Sequence, residues 1–231
     1  MGNSGIAVSK VVAKVAAVGL DQAAISFLHD CFKQFNVHVA GMNGDPMELF
    51  NKQKFEACLL RLYDPQAEKI LSTARNSASN RRMVIYGIAR NTQEALRYSS
   101  FGINAVLDEP LERQSVLKVV RATHLLVVHE LRRYVRIPVV TEVAIDNGAR
   151  SFHAMTMEVS AGGMSVRCQT PLTSVDAVRI SFCLPGAKKI TLRSFVCWAR
   201  PAESYYGLRF DPTDDTRVQV RNWIDQYLEI M

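Results

Sequence analysis

Apolar and polar residues alternate along the chain with two different periods, and the change falls near residue 130. Before it, short apolar runs typical of buried strands alternate with segments that repeat apolar residues at helical spacing. The predicted strands are residues 15–18, 37–40, 57–62, 83–86 and 104–107. Five strand–helix units in succession predict an α/β domain, in which a five-stranded parallel sheet is covered on both faces.

The helices of this first part are equally well marked. Residues 21–35 place Ile25, Leu28 and Phe32 on one face, and residues 111 to about 128 form a long last helix. That helix ends in the apolar run 125–128. Two interpretations stay open, namely packing against its own sheet and the next domain, or an exposed stripe that forms a homodimer through residues 111–128.

After Ile137 the apolar residues follow a period of two, which is typical of half-buried strands. Glycine and proline punctuate segments of five to ten residues, and the last segment repeats apolar residues at helical spacing. That helical face comprises Val220, Trp223, Ile224, Tyr227, Leu228 and Met231. About six antiparallel strands closed by one terminal helix predict a small six-stranded β-barrel. The predicted organisation is therefore one domain over 11–128, a linker over 129–136 and a barrel over 137–231.

Composition and charge narrow the range of possible functions. The net charge of +6 is spread evenly, with 15 basic and 12 acidic residues up to residue 130 and 13 and 10 beyond it, so a nucleic acid polymer is not an expected partner. The five cysteines lie in apolar runs without a CxxC pair, which favours buried, reduced thiols and a cytoplasmic location. We expect no metal site, no catalytic set and no membrane span.

One basic cluster stands out: Arg132, Arg133 and Arg136 fall within five residues, directly before Ile137 and Pro138. Such a segment favours an exposed, extended arm that leads into a strand. About twenty residues later, a polar, glycine-rich break separates two apolar strands. This break comprises Glu158, Ser160 and Gly163 with the residues between them.

Together these segments resemble the paired signature of PilZ domains, bacterial receptors for cyclic di-GMP. That signature is Arg-x-x-x-Arg followed by Asp/Asn-x-Ser-x-x-Gly, and Glu158 stands where the family has Asp or Asn. The segments 197–200 and 207–210 are also similar to the family, so the resemblance covers about residues 129–231. For Trp198 a place in the core is favoured over the alternative, a stacking platform, and one interpretation of Arg209 is a barrel-surface residue.

The resemblance implies a ligand with two phosphates and two guanines. Arginine can bind phosphate oxygens or a guanine edge bidentately, and it can stack on a base. The implied ligand-binding residues are Arg132, Arg133, Arg136, Glu158, Ser160 and Gly163. The carboxylate would accept from guanine N–H groups, the serine would add a hydroxyl, and the glycine would let the backbone approach the ligand closely.

The first domain resembles the receiver domain of response regulators, most closely over residues 101–110. The positions that carry phosphoryl-transfer chemistry differ, because the acceptor aspartate falls on Arg61 and the conserved lysine falls on Glu109. The site needs a carboxylate, a cation and usually Mg²⁺. We therefore expect a degenerate receiver in which Arg61 pairs with Glu109 or Asp21; the alternative is a functional receiver that uses Asp64.

The sequence thus predicts a bacterial cytoplasmic signalling protein that is not an enzyme and needs no cofactor. It would bind cyclic di-GMP and couple binding to a rearrangement of its domains or of an unknown protein partner. The alternative is an adaptor that binds other proteins without any nucleotide.

Overall fold

The computed structural model describes residues 12–173 and 177–230, with side chains up to Leu228. The proposed domain limits at 11 and 231, and Met231 of the terminal helix, lie outside the described residues. Two compact units are present, one over residues 12–131 and one over residues 132–231. The boundary therefore follows Leu131.

Strands and α-helices alternate along the N-terminal unit from its first strand to its last helix. Its elements are β1 (Ala13–Val18), α1 (Gln22–Lys33), β2 (Val37–Gly41), α2 (Pro46–Lys52), β3 (Ala57–Arg61), α3 (Ala67–Asn76), β4 (Val84–Ala89), α4 (Thr92–Arg97), β5 (Ala105–Asp108) and α5 (Arg113–Tyr134). The strands are parallel in the order β2-β1-β3-β4-β5. This is the doubly wound order of flavodoxin and CheY, which confirms the predicted class.

Both faces of this sheet are covered, as a parallel sheet requires. One apolar cluster contains Phe32 and Tyr86, whose rings meet edge to face with centroids 5.3 Å apart. The cluster on the other face contains Phe50 and Phe55. Helices α1, α2 and α4 begin at side chains that accept a backbone N–H, those of Asp21, Asp45 and Asn91.

The C-terminal unit is a closed antiparallel barrel. Its elements are β6 (Ile137–Pro138), β7 (Glu142–Asp146), β8 (Ser151–Ser160), β9 (Gly163–Arg167), β10 (Ala177–Cys183), β11 (Lys189–Arg200), β12 (Tyr205–Phe210) and α6 (Arg217–Ile230). Strands β7 to β12 pair in the circuit β8-β7-β10-β11-β12-β9, and a β8–β9 pairing closes it. The predicted six-stranded barrel is confirmed, and the two-residue β6 adds to β8.

The barrel core follows the predicted alternation, since Val178, Ile180 and Phe182 of β10 are buried. Helix α6 contributes Val220, Trp223 and Ile224 to the same core. The indole N–H of Trp223 donates to the carbonyl oxygen of Pro185 at 2.8 Å, which fixes the helix against the barrel.

Three sequence expectations need correction. Arg132, Arg133 and Tyr134 form the last turn of α5 instead of an extended arm, because nothing between residues 128 and 134 breaks the helix before Pro138. Two of the five cysteines, Cys183 and Cys197, are exposed on outward positions of their strands. The third correction, which concerns Trp198, follows with the site.

The apolar run at the end of α5 contains both buried and exposed residues, so each of its two interpretations fits a part of it. Val127 is buried in the core of the N-terminal unit, whereas Leu125 is 75% and Leu126 47% exposed. Among the described residues, no helix is long and apolar enough to cross a membrane.

Candidate functional site

The β8–β9 hairpin carries three of the predicted binding residues. Val159 points into the barrel core, so Glu158 and Ser160 point outward, and Glu158 lies opposite Ser165 of β9. Ser160 pairs with Gly163 across the two-residue turn, and its hydroxyl donates to the carbonyl oxygen of Gly163 at 3.0 Å. The hairpin therefore presents one half-buried carboxylate and one hydroxyl on the outer surface.

Gly163 has a packing role that the sequence did not indicate. A Cβ at this position would lie 2.2 Å from the carbonyl oxygen of Leu208 and 3.2 Å from the Cα of Arg209. Strand β12 thus passes too close for any side chain here. Because Gly163 has no side chain, β12 can pack directly against it. Only the backbone of Gly163 could contact a ligand.

Strand β6 brings Arg136 to this hairpin. Ile137 pairs with Val159 and Pro138 with Glu158, so the same register continued by one residue sets Arg136 opposite Ser160. The break between β6 and β7 is held by the buried Thr156, whose hydroxyl donates to the carbonyl of Val139 and accepts from the N–H of Thr141. Arg136 itself is exposed.

The other two arginines lie elsewhere on the same unit. Nε of Arg132 lies 3.1 Å from Oδ1 of Asp225 on α6. The guanidinium of Arg133 lies 5.8 Å from the ring centroid of Tyr134. The structure thus brings Arg136, Glu158, Ser160 and Gly163 together through neighbouring strands, and it holds Arg132 against a carboxylate of the terminal helix.

A row of outward residues crosses four strands at the level of Glu158. The register places Glu158 beside Ser165, Ser165 beside Gly207 and Gly207 beside Trp198. We call the outer surface of β8, β9, β12 and β11 around this row the candidate face. At about 4.8 Å between strands, the backbones of its two ends lie roughly 14 Å apart. Ser165 and Gly207, between them, face outward but are buried beneath neighbouring side chains.

Two β-bulges create this row. The β8–β9 register shifts between Thr156 and Glu158, and the β11–β12 register shifts between Val196 and Trp198. Thr156 and Val196 point inward, so strict alternation would turn the residue two positions later inward as well. Each bulge re-aims one side chain to the outside. The two bulges therefore place Glu158 and Trp198, the two ends of the row, on the outside of the barrel.

Trp198 therefore lies outside the core, against expectation. A Cβ on Gly207 would lie 2.1 Å from Nε1 of Trp198, so the indole lies over the glycine. The ring meets Tyr205 edge to face at 5.1 Å, and the hydroxyl of Tyr205 donates to Ser165 at 2.9 Å. The guanidinium of Arg200 lies 5.8 Å from the indole centroid. A tryptophan paired with a strand glycine is the signal that sequence reasoning missed.

Basic groups surround the candidate face. Arg167, Arg200 and Arg209 are exposed on the strands that build it, so Arg209 is a surface residue. Arg136 is also exposed and directly precedes β6, which pairs with β8. A groove of about 1010 Å³ adjoins the face and includes Met155, Arg167 and Glu203 among its lining residues. A cationic surface with a half-buried carboxylate and a pair of aromatic rings suits an anionic ligand that also carries N–H donors and a flat base.

The second predicted site lies at the C-terminal edge of the parallel sheet. Nη2 of Arg61 lies 3.0 Å from Oδ2 of Asp21, and its Nε lies 3.4 Å from Oε1 of Glu109. The expected pairing of Arg61 is therefore confirmed with both carboxylates. Its remaining nitrogen donates to the carbonyl of Gly19 at 3.3 Å. Asp64 accepts the backbone N–H of Gln66 at 2.7 Å and so caps a turn.

Arg61 and Asp21 shift each other's pKa values. The N–H of Ala24, and then Arg61, hold the pKa of Asp21 below its usual value, while the hydrogen bond to Asp21 raises the pKa of Arg61. Burial, and then its hydrogen bond to Glu109, raise the pKa of Tyr63. In residues 12–173 and 177–230, no group of three or more metal-ligating side chains could hold a metal ion.

Comparison with known proteins agrees with the barrel. The family model described as the PilZ domain matches residues 130–229. Among solved structures, the chain is similar to the PilZ domain of CeSA from a cellulose-synthesizing bacterium, with 17% identity over 39% of this chain and 98% of that one, at a TM-score of 0.34. No curated protein matches the chain.

The N-terminal unit is similar to receiver domains. The chemotaxis response regulator CheY4 of Vibrio cholerae is 16% identical over 48% of this chain and 98% of its own, at a TM-score of 0.42. The receiver domain of the sensor histidine kinase PA1611 from Pseudomonas aeruginosa is 14% identical over 49% and 98%, at the same TM-score.

Proposed function

Because residues 130–229 form a PilZ domain, we propose that the protein is a cyclic di-GMP-binding signalling protein whose ligand lies on the candidate face. The observation that carries the proposal is the row from Glu158 to Trp198, which two bulges turn outward beside Arg136.

The arginines would hold the phosphates. Arg136 follows α5 and precedes β6, so its guanidinium can close over a ligand that rests beside Ser160. A guanidinium offers a planar fork of N–H donors that matches two phosphate oxygens at once. Arg132 and Arg133, from the last turn of α5, would complete the phosphate contacts.

Glu158 would bind a guanine edge. Its carboxylate is outward and half-buried, and guanine presents N1–H and N2–H₂ donors that a carboxylate accepts. Glutamate carries one methylene more than the Asp or Asn of the signature, so its oxygens stand further from the strand. One methylene in a shaped site is worth about 1–3 kcal/mol. We expect Glu158→Asp to tighten binding and Glu158→Ala to weaken it.

Trp198 would stack on a base. Gly207 lets the indole lie flat against β12, and Tyr205 supports its edge while the hydroxyl of Tyr205 is held by Ser165. Stacking of a base on an aromatic ring is worth about 1–3 kcal/mol. Arg200 lies over the indole, and it would move onto the base as a second stacking group.

The N-terminal unit would transmit the signal without phosphorylation. Its acceptor position holds Arg61, which is engaged by two carboxylates. Helix α5 continues into the residues that carry Arg132 and Arg133, so ligand contacts would act directly on the end of that helix. We include in the proposal a change in domain arrangement at residues 129–136, an unidentified protein partner, and a homodimer surface on α5 around Leu125 and Leu126, which are exposed.

A nucleotide-independent adaptor is the competing function, and the observation that favours it is Glu158 in the position of Asp or Asn. Isothermal titration of the full chain with cyclic di-GMP separates the two. Replacing Arg132 or Arg136 by alanine should cost about 1.5–3 kcal/mol of binding, and affinity should fall as salt rises. Arg150→Ala, at the exposed β7–β8 turn, is the matched control. Absence of binding by the native chain, or undiminished binding by the double alanine variant, would contradict the proposal.

A further inference from the structure

The ion pair between Arg132 and Asp225 has a consequence for the proposed site, and the inference rests on the proposed function. Nε of Arg132 and Oδ1 of Asp225 are 3.1 Å apart, and the two side chains are 34% and 29% exposed. Both atoms are themselves buried, and their approach lies outside the geometry of a good hydrogen bond. The contact is therefore a charge attraction that gains little from directional bonding.

The edge of a guanidinium that carries Nε is one of the faces that fits two oxygens of a phosphate. Asp225 lies at that edge of the Arg132 guanidinium. Arg136, in contrast, is exposed in the short segment between α5 and β6. The β6–β8 register, continued by one residue, places it opposite Ser160. The two arginines of the signature thus begin from different states, one exposed and one held by a carboxylate.

We propose that Asp225 is an internal competitor for Arg132, so that ligand binding exchanges the aspartate carboxylate for a phosphate of the ligand. The exchange keeps an anion at the Nε edge of the guanidinium throughout. Asp225 lowers the apparent affinity, because only the fraction of molecules with the pair open presents Arg132 to the ligand.

The size of the effect follows from the exposure of the pair. About a third of each side chain is exposed, so solvent screens the attraction, and pairs of this kind contribute about 0.2–1 kcal/mol. Removing the competitor should therefore tighten binding about two- to fivefold. The change should depend entirely on Arg132.

The test is isothermal titration of the full chain with cyclic di-GMP. Asp225→Asn should bind about two- to fivefold more tightly than the native chain, and Asp225→Glu, which keeps the charge, should bind like the native chain. Asp215→Asn is the matched control, because Asp215 is an exposed acid two residues before α6 and its replacement removes the same charge. In an Arg132→Ala background, Asp225→Asn should bring no gain.

Each other outcome decides against the competitor. Weaker binding by Asp225→Asn would show that the carboxylate positions Arg132 for the ligand. Unchanged binding by Asp225→Asn would show that the aspartate does not compete with the ligand, and an equal gain from Asp215→Asn would show that only net charge counts. If the native chain and every variant fail to bind, the proposed function falls and the competitor with it, a result distinct from binding that ignores Asp225.

Discussion

Replacement of Gly163 by alanine tests whether β12 closes the barrel as tightly as the structure shows. The new Cβ would lie 2.2 Å from the carbonyl oxygen of Leu208, which belongs to the backbone and cannot rotate away. Strands β9 and β12 must separate by about 1 Å, which also stretches the neighbouring hydrogen bond from Phe210 N–H to the Gly162 carbonyl, now 2.9 Å. Overpacking of this kind costs about 1–3 kcal/mol, and we expect a value near the upper end.

The adjacent glycine is the matched control. A Cβ on Gly162 would meet nothing within 4 Å, and its backbone needs no left-handed conformation, so Gly162→Ala should be neutral or stabilise by up to about 1 kcal/mol. The two variants add the same methyl group one residue apart.

Tryptophan fluorescence gives the assay. Both tryptophans of the chain, Trp198 and Trp223, lie in the C-terminal unit, so excitation of tryptophan follows that unit alone during unfolding in urea. With a slope of about 1–1.5 kcal/mol per M, a loss of about 3 kcal/mol lowers the midpoint for Gly163→Ala by roughly 2–3 M. Equal midpoints for the two alanine variants would refute the reasoning, since they would show that β12 does not approach Gly163 so closely.

The remaining predictions concern the N-terminal unit. Acetyl phosphate or beryllofluoride with Mg²⁺ should leave the protein unchanged, because Arg61 occupies the acceptor position; a stoichiometric, acid-labile phosphoryl adduct by mass spectrometry, on Asp64 for instance, would contradict this. Because a backbone N–H of α1 and then Arg61 lower the pKa of Asp21, its stabilising effect should be complete above the usual value of 3.8 and disappear as pH falls through the lower folded value. An NMR titration of the Asp21 carboxyl should have its midpoint below 3.8, with a higher midpoint in Arg61→Ala; a midpoint at or above 3.8 would contradict the ion pair.

The two folds could be predicted because each depends on a pattern that the whole domain repeats. Five apolar runs separated by helical segments allow few arrangements other than a parallel sheet between helices. Alternation in β10, where Val178, Ile180 and Phe182 are buried, likewise specifies a strand with one face in a core. The Arg61 ion pairs were also predictable, since parallel strands end at one edge of the sheet and opposite charges at those ends meet.

The details of the candidate face were not predictable, because they depend on single residues that interrupt the pattern. A bulge leaves the composition of a strand unchanged, so alternation continued from Val196 places Trp198 in the core, where the structure does not have it. The residue at which α5 ends was not predictable for a related reason. Arginine is a good helix former, so Arg132 can extend the helix. The ion-pair partner of Arg132 is Asp225, which is far away in sequence.

Titration of intrinsic fluorescence with cyclic di-GMP tests the central claim most directly. In the native chain, a guanine that stacks on Trp198 should quench its emission, and the midpoint should equal that from calorimetry. In Trp198→Phe, the remaining Trp223 is buried against the barrel and donates to Pro185, so its emission should stay constant. Phenylalanine keeps a smaller ring, so the affinity should fall by part of the about 1–3 kcal/mol that loss of the whole ring costs. A native chain that binds without quenching, or a Trp198→Phe variant that quenches and binds as the native chain does, would contradict the account.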